Sequence, residues 1–105
     1  MITIRVYNKA VRDRIPEIIN ESGSECTYKV LRDEEFLSYL EKKLHEELNE
    51  YDTSKSVIEL ADLIEIIYRI AELRNISIEE LEKMRIEKRQ KRGGFEKNLL
   101  LLDAK

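Results

Sequence analysis

Residues 56–73 read SVIELADLIEIIYRIAEL, and this stretch decides the fold. At the angular step of a helix, its polar residues share one stripe and its apolar residues cover well over half of the circumference. The polar residues are Glu59, Asp62, Glu65, Arg69 and Glu72. One neighbouring helix cannot cover so wide an apolar surface. The stretch therefore predicts a central helix that is surrounded by other helices or shared with a second subunit.

A second long helix is predicted immediately before the central one. Asp33 is placed to cap it, and it continues to about Tyr51 with leucines and a tyrosine spaced three and four apart as a core stripe. Only the short segment 52–55 separates the two helices, which forces them to run antiparallel. The core stripe consists of Leu37, Leu40, Leu44, Leu48 and Tyr51.

Shorter elements are predicted on either side of this pair. Alternating apolar residues indicate strands over residues 2–7 and from Cys26 to Val30, and Pro16 marks a short helix that ends before Gly23. After the central helix, Asn75 is expected in a left-handed cap. A capping box of Ser77 and Glu80 begins a last helix through about Lys91. The tail 98–102 holds four consecutive leucines and is expected to form an edge strand or an arm that packs on a partner.

The composition indicates one helical domain over residues 1–105 and a soluble protein of the cytoplasm. A single cysteine, Cys26, permits no internal disulfide, and no apolar run is long enough to span a membrane. The net charge of −3 conceals an acidic middle and a basic segment from Lys83 to Arg92. Such a division suits an anionic ligand that arrives with cations, because one part can hold the metal and the other the phosphates.

Two acidic pairs carry the sharpest chemical signal. Glu47 and Glu50 end the second long helix, and Glu59 and Asp62 begin the central one, each pair three residues apart on one helix face. A short antiparallel connection brings all four carboxylates to the same level, and oxygen ligands of this kind suit Mg²⁺, with Mn²⁺ as a substitute. Two other interpretations stay open: the glutamates form a solvated face, or Ser56 and Glu59 form a capping box.

Two basic clusters are candidates for binding phosphate. The first is Lys88 and Arg92, which are followed by two glycines and Phe95. Basic residues at a helix C-terminus also stabilise the helix without any ligand. The second contains Lys9 and Arg12, which either form a surface charge patch or clamp a second phosphate.

Three motifs in this order resemble a known family. They are similar to motifs of the MazG-like all-α nucleoside triphosphate pyrophosphohydrolases, in particular the phosphoribosyl-ATP pyrophosphohydrolase-like branch. The three motifs are YNKAVRDRIPEII (7–19), KLHEELNEY (43–51) with ELADLIEII (59–67), and EKRQKRGGFEK (87–97). The resemblance implies a mainly α, antiparallel bundle with short extended segments at both ends, completed by dimerisation or as a dimer of dimers.

The resemblance also implies roles for individual residues. It assigns Mg²⁺ to Glu47, Glu50, Glu59 and Asp62. In the mechanism that we expect from this site, Glu47 or Glu50 also orients or deprotonates a water. The resemblance assigns binding of the substrate phosphates to Lys88 and Arg92, which belong to the family motif. Lys9 and Arg12 are further candidates for this role. The segment between Glu50 and Glu59 is shorter than in typical members, so Glu46 can substitute for one of the four acids, and Glu65 is a weaker candidate.

The expected activity is hydrolysis of a nucleoside triphosphate to the monophosphate and pyrophosphate, as a house-cleaning enzyme for non-canonical nucleotides. The alternative is a helical module without enzymatic activity that binds nucleic acid or a protein through the basic segment 83–92. The negative net charge and the short, interrupted basic run disfavour this alternative.

Overall fold

The computed structural model describes residues 3–105 and contains four helices in this part of the chain. They are α1 (Ile15–Glu21), α2 (Asp33–Ser54), α3 (Val57–Leu73) and α4 (Ile78–Arg92). The chain is therefore mainly α, as the sequence predicts. None of these helices combines the length and the apolar character that crossing a membrane requires.

Helices α2 and α3 form an antiparallel hairpin. Near one end of the pair, Arg74 just beyond α3 donates to the carboxylate of Glu41 on α2 at 3.1 Å. At the other end, Glu50 of α2 lies beside Glu59 of α3. Positions far apart in sequence thus meet in reverse order along the two helices, which is the arrangement that the short connection predicts.

The connection between these helices is tighter than the sequence indicates. Helix α2 continues to Ser54, so only Lys55 and Ser56 lie between the helices. Lys55 adopts a left-handed conformation with φ of 57°, and its N–H donates to the carbonyl of Tyr51 at 2.7 Å. Ser56 is extended and begins α3. This sharp reversal places the last turns of α2 level with the first turn of α3.

The core of the single chain is small. Three apolar residues are buried, Ala10 before α1, Leu40 on α2 and Ile66 on α3. Partly buried residues that pack against them are Phe36, Tyr39, Leu44, Ile70 and Leu73. Leu48, predicted for the core, is exposed instead, and its neighbour Glu47 faces inward. Leu40 and Leu44 of the predicted stripe do pack in the core together with Phe36, but in the last turns of α2 the inward position belongs to Glu47 and not to Leu48.

Several predicted helix ends are confirmed. Pro16 stands in the first turn of α1, and Asn75 has a φ of 65° directly after α3. The Ser77 hydroxyl accepts a hydrogen bond from the N–H of Glu80 at 3.1 Å and so caps α4. The predicted cap at Asp33 is wrong, since Asp33 is the first helical residue and the cap position belongs to Arg32, which makes no side-chain capping bond.

The predicted strands are not present in the described residues. Residues 3–7 and the segment from Cys26 to Val30 have no regular structure, and Ile2 of the first predicted strand lies outside the described residues. The tail 98–102 is also irregular. Alternation of apolar residues forms a strand only where a neighbouring strand supplies hydrogen bonds, and here none of the three segments pairs with another.

Helix α4 contacts α3 near its beginning, and Arg89 near its end forms an ion pair with Glu96 of the following segment. The hydroxyl of Tyr68 on α3 donates to the Glu82 carboxylate at 2.8 Å, and this bond holds the pKa of Glu82 below its usual value. Every residue from Lys83 to Lys105 is exposed. The radius of gyration is accordingly 18.4 Å, whereas a compact domain of this length has about 13 Å.

Candidate metal centre

Three carboxylates meet at the closed end of the α2–α3 hairpin. Glu47 and Glu50 lie one turn apart on α2, and Glu59 lies in the first turn of α3. One carboxylate oxygen from each residue lies within 4.8 Å of the others. The tight turn at Lys55 and Ser56 causes this convergence, because it allows no spacer between the two helix ends. We call these three residues the acidic trio.

Glu47 is the buried member of the acidic trio. Only 8% of the residue is exposed, and among residues 3–105 just three apolar residues are as well buried. Its Oε2 is inaccessible to solvent and has no hydrogen-bond partner, while Oε1 lies 3.8 Å from the Lys43 ammonium. A buried carboxylate oxygen without a partner is costly, so its position calls for a proton or a cation.

The surroundings of Glu47 raise its pKa from 4.5 to about 7. Burial is the largest cause, because it disfavours the charged form. The carboxylates of Glu50 and Glu59 add to the shift, and the positive charge of Lys43 opposes it. Near neutral pH, Glu47 therefore exchanges its proton readily, and a cation among the three carboxylates would favour the ionised form.

The capping-box interpretation of Glu59 is contradicted. The side chain of Ser56 makes no capping bond to α3, and the Ser56 N–H is satisfied by the hydroxyl of Ser54 at 3.1 Å. The carboxylate of Glu59 is therefore not required for the helix end. It is half-buried and faces Glu47 and Glu50 instead.

Asp62 lies one turn beyond Glu59 and is not part of the acidic trio. Its Oδ1 accepts a hydrogen bond from Nη2 of Arg12 at 2.7 Å. The structure thus brings together three of the four predicted metal ligands, and it pairs the fourth with one of the predicted phosphate-binding residues. The guanidinium of Arg12 thus places a positive charge beside the Asp62 carboxylate.

Glu46 and Lys9 form a second ion pair at the same end of the hairpin. The ammonium of Lys9 lies 3.1 Å from the Glu46 carboxylate. Glu46 also borders a shallow groove with Asn49, Glu50, Thr53, Ser54 and Glu59. Residues 9 to 12 therefore lie against the acidic end of both helices, whereas Glu65 is exposed one turn beyond Asp62.

Lys88 and Arg92 lie elsewhere in the single chain. Both are on the exposed part of α4, where they border a separate shallow depression with Met84, Glu87 and Lys91. The structure does not bring these two residues to the acidic trio. Of the four predicted phosphate-binding residues, it places Lys9 and Arg12 beside the predicted metal ligands.

Sequence reasoning did not identify Lys43, Asn49 or Thr53 as neighbours of the site. Lys43 stands four residues before Glu47, a spacing at which helix side chains meet, so its contact with Glu47 was readable from the sequence. Asn49 and Thr53 are likewise four apart on α2 and border the groove. Nothing in their spacing distinguishes them from ordinary solvated residues.

The residues present fit a hard divalent cation. All donors of the acidic trio are carboxylate oxygens, which Mg²⁺ and Mn²⁺ prefer. The unpartnered Oε2 of Glu47 supplies an independent observation, because it is a buried polar atom that lacks a partner within the protein. When all three carboxylates are ionised, their combined negative charge favours a bound cation.

Comparison of the chain with protein-family models, with curated proteins and with solved structures found no match. The resemblance to the MazG-like family therefore stays a prediction from the three motifs.

Proposed function

We propose that this protein is a Mg²⁺-dependent pyrophosphohydrolase of a nucleoside triphosphate. The reaction adds water to the α-phosphorus, breaks the bond from that phosphorus to the bridging oxygen, and releases the nucleoside monophosphate and pyrophosphate. The observation that carries the proposal is the buried Glu47, which presents an unpartnered oxygen beside Glu50 and Glu59. The three motifs supply the reaction type.

The acidic trio would hold the metal, with Asp62 or Glu46 as a further ligand. Mg²⁺, when bound, neutralises phosphate oxygens and lowers the pKa of water. Mn²⁺ fits the same oxygen donors. Each of these two candidate ligands forms an ion pair with a basic side chain of the protein, Asp62 with Arg12 and Glu46 with Lys9.

Glu50 is suited to receive the proton of the attacking water. It is exposed, unlike Glu47, so a water can reach its carboxylate from the groove. Glu47 is less suited to this step, because its buried carboxylate is stable only when it binds a cation or a proton. No covalent nucleophile is needed, since positioning and charge neutralisation account for most of the catalysis in phosphoryl transfer.

Lys9 and Arg12 are placed to receive the phosphates. Each already binds a carboxylate beside the acidic trio, so each can exchange this partner for a phosphate oxygen when substrate and metal enter. Arg12 offers a planar fork that matches two phosphate oxygens, whereas Lys9 offers a point charge. We include Lys88 and Arg92 among the proposed phosphate-binding residues because they belong to the third of the three motifs.

The test is release of pyrophosphate from a panel of canonical and damaged nucleoside triphosphates, with Mg²⁺ and with a chelator. We expect turnover only with metal, and we expect Asp62→Asn to abolish it while the helical content stays unchanged. Glu72→Gln is the matched control, because Glu72 is an exposed acid of the same helix that binds Arg69. Because Glu46 is the other candidate for the further ligand, turnover of the Asp62→Asn variant at the parental rate would remove Asp62 from the ligand set. Turnover of a Glu59→Gln variant at the parental rate would contradict the metal assignment.

The alternative function rests on the exposure of the basic segment. All residues from Lys83 to Arg92 are open to solvent, and six of them are Lys or Arg. A nucleic-acid-binding module would show an affinity that falls steeply with salt and no release of pyrophosphate. The same protein preparation therefore separates the two functions in two assays.

A further inference from the structure

Helix α3 has a second apolar side that stays largely open in the described part of the chain, where α4 contacts it only beside Tyr68. Its buried side is centred on Ile66, which packs against α2. On the opposite side, apolar residues recur at three- and four-residue spacing and are exposed. We call them the open stripe, and they are Val57, Leu60, Ile64 and Ile67.

The C-terminal part of the chain is apolar and exposed as well. The arm, residues 83–105, carries Met84, Ile86 and Phe95, and Phe95 is 96% exposed. It ends with the four leucines Leu99 to Leu102, which are each more than 80% exposed. The arm does not fold back on the open stripe of its own chain, because both remain exposed.

The exposed area is far larger than a monomer of this size requires. A folded monomer of 12.5 kDa exposes about 6,200 Å² by the usual scaling with mass, whereas this chain exposes 9932 Å². The surplus of about 3,700 Å² is several times the roughly 800 Å² that each partner buries in a standard interface. The surplus is therefore large enough to supply the interface of a dimer.

Charge complementarity identifies the arm as the occupant of the stripe. On the helix surface, Glu65 and Glu72 border the open stripe, with Arg69 beside them as the ion-pair partner of Glu72. The arm bears the basic residues Lys83, Lys88, Lys91 and Arg92 beside its apolar residues. An apolar and basic arm matches an apolar and acidic stripe in both properties.

We propose that two copies of this chain exchange their arms, so that the arm of each copy covers the open stripe of the other. A two-fold association satisfies both surfaces at once, because each copy supplies one arm and one stripe. This pairing goes beyond the proposed hydrolase function, and it holds whether or not the protein is an enzyme.

Sedimentation over a wide range of concentration tests the association. We expect a dimer of twice the 12.5 kDa chain mass. Ile64→Asp and Leu100→Asp should each weaken the dimer about thirtyfold or more, as for charges placed in an interface core. Val30→Asp is the control, since Val30 is 92% exposed and belongs to neither surface. A parent protein that is monomeric at all concentrations, or an equal effect of Val30→Asp, would overturn the proposal.

Thiol cross-linking tests the exchange itself. In a background of Cys26→Ser, chains carrying Ile64→Cys are mixed with differently sized chains carrying Leu100→Cys and treated with a short bifunctional reagent. We expect a cross-linked heterodimer from the mixture and monomeric bands from either variant alone. Cross-linking of Ile64→Cys chains to one another without a heterodimer would show that the stripes face each other, and it would refute the exchange. Circular dichroism confirms that each variant stays helical.

Discussion

In most proteins charged side chains are exposed and apolar ones are buried, and two regions of this molecule depart from this rule in opposite directions. At the closed end of the α2–α3 hairpin, the charged residue Glu47 is buried in a chain with few buried side chains. In the arm, residues 83–105, leucines and a phenylalanine stand in solvent. The two exceptions have different remedies. A buried carboxylate is stabilised by a proton or a cation, whereas exposed apolar side chains are stabilised by another protein surface.

The two regions should therefore respond to different changes in solution conditions. Binding of Mg²⁺ and changes of pH should act on the hairpin end through Glu47. Protein concentration should act on the arm through association. A perturbation that affects both regions equally would break the comparison.

The largest expected effect concerns the hairpin end. Replacing Glu47 by Gln keeps the shape of the side chain but removes the negative charge, so metal-dependent release of pyrophosphate should fall by about 10²- to 10³-fold. The assay compares the variant with Glu72→Gln, which changes an exposed acid on α3 and should retain the parental rate. Equal rates for the two variants would separate Glu47 from the chemistry.

The next effect is a dependence of stability on pH. The folded pKa of Glu47 is about 7 against an ordinary value of 4.5, so the folded state binds the proton more tightly than the unfolded state. The contribution to stability is therefore full below pH 4.5, falls as the pH rises to about 7, and stays low above it. The total loss is up to about 3 kcal/mol in the absence of divalent metal.

Urea unfolding at a series of pH values measures this dependence. Glu47→Gln carries no titrating group at this position, so its stability should lack this fall and should exceed that of the parent at pH 8. A parental curve that is flat from pH 5 to pH 8, or one that Glu47→Gln shares, would contradict the shifted pKa.

A smaller effect distinguishes the arm. If two copies associate through it, the apparent unfolding free energy should rise by about 1.4 kcal/mol per mole of dimer, or about 0.7 kcal/mol per chain, for each tenfold increase in protein concentration. Leu100→Asp should remove this increase, whereas Glu47→Gln should leave it in place. Urea unfolding at several protein concentrations provides the measurement. An increase that survives Leu100→Asp would assign association to another surface.

The smallest expected effect concerns the ion pair of Arg12 and Asp62. Both side chains are partly exposed, so Arg12→Gln should lower the unfolding free energy by less than about 1 kcal/mol. In the assay of pyrophosphate release, the same variant should raise KM, because Arg12 is placed to bind phosphate. A large loss of stability with an unchanged KM would make Arg12 a structural residue only.

Helix boundaries were predictable where local chemistry decides them. Pro16, Asn75 and Ser77 each act through their own backbone or side chain, and all three occupy the predicted positions. The convergence of Glu47, Glu50 and Glu59 was also predictable, because it follows from three-residue spacing and a short connection.

The remaining features depend on tertiary contacts. The packing of α2 against α3, which no local signal specifies, decides that Glu47 is buried and Leu48 exposed. The pairing of Arg12 with Asp62 joins residues fifty positions apart. The alternating segment from Cys26 to Val30 resembles a strand locally but has no neighbour to pair with. Period and spacing alone do not contain this information.

Calorimetric titration of Mg²⁺ into the protein at pH 8 tests the central claim most directly, because it needs neither a substrate nor an activity. We expect saturable binding that Glu47→Gln abolishes and Glu72→Gln preserves. At pH 6, where the proton competes for Glu47, binding should be weaker and should release protons to the buffer. Absence of binding, or equal binding by both variants, would contradict the assignment of the acidic trio as a metal centre.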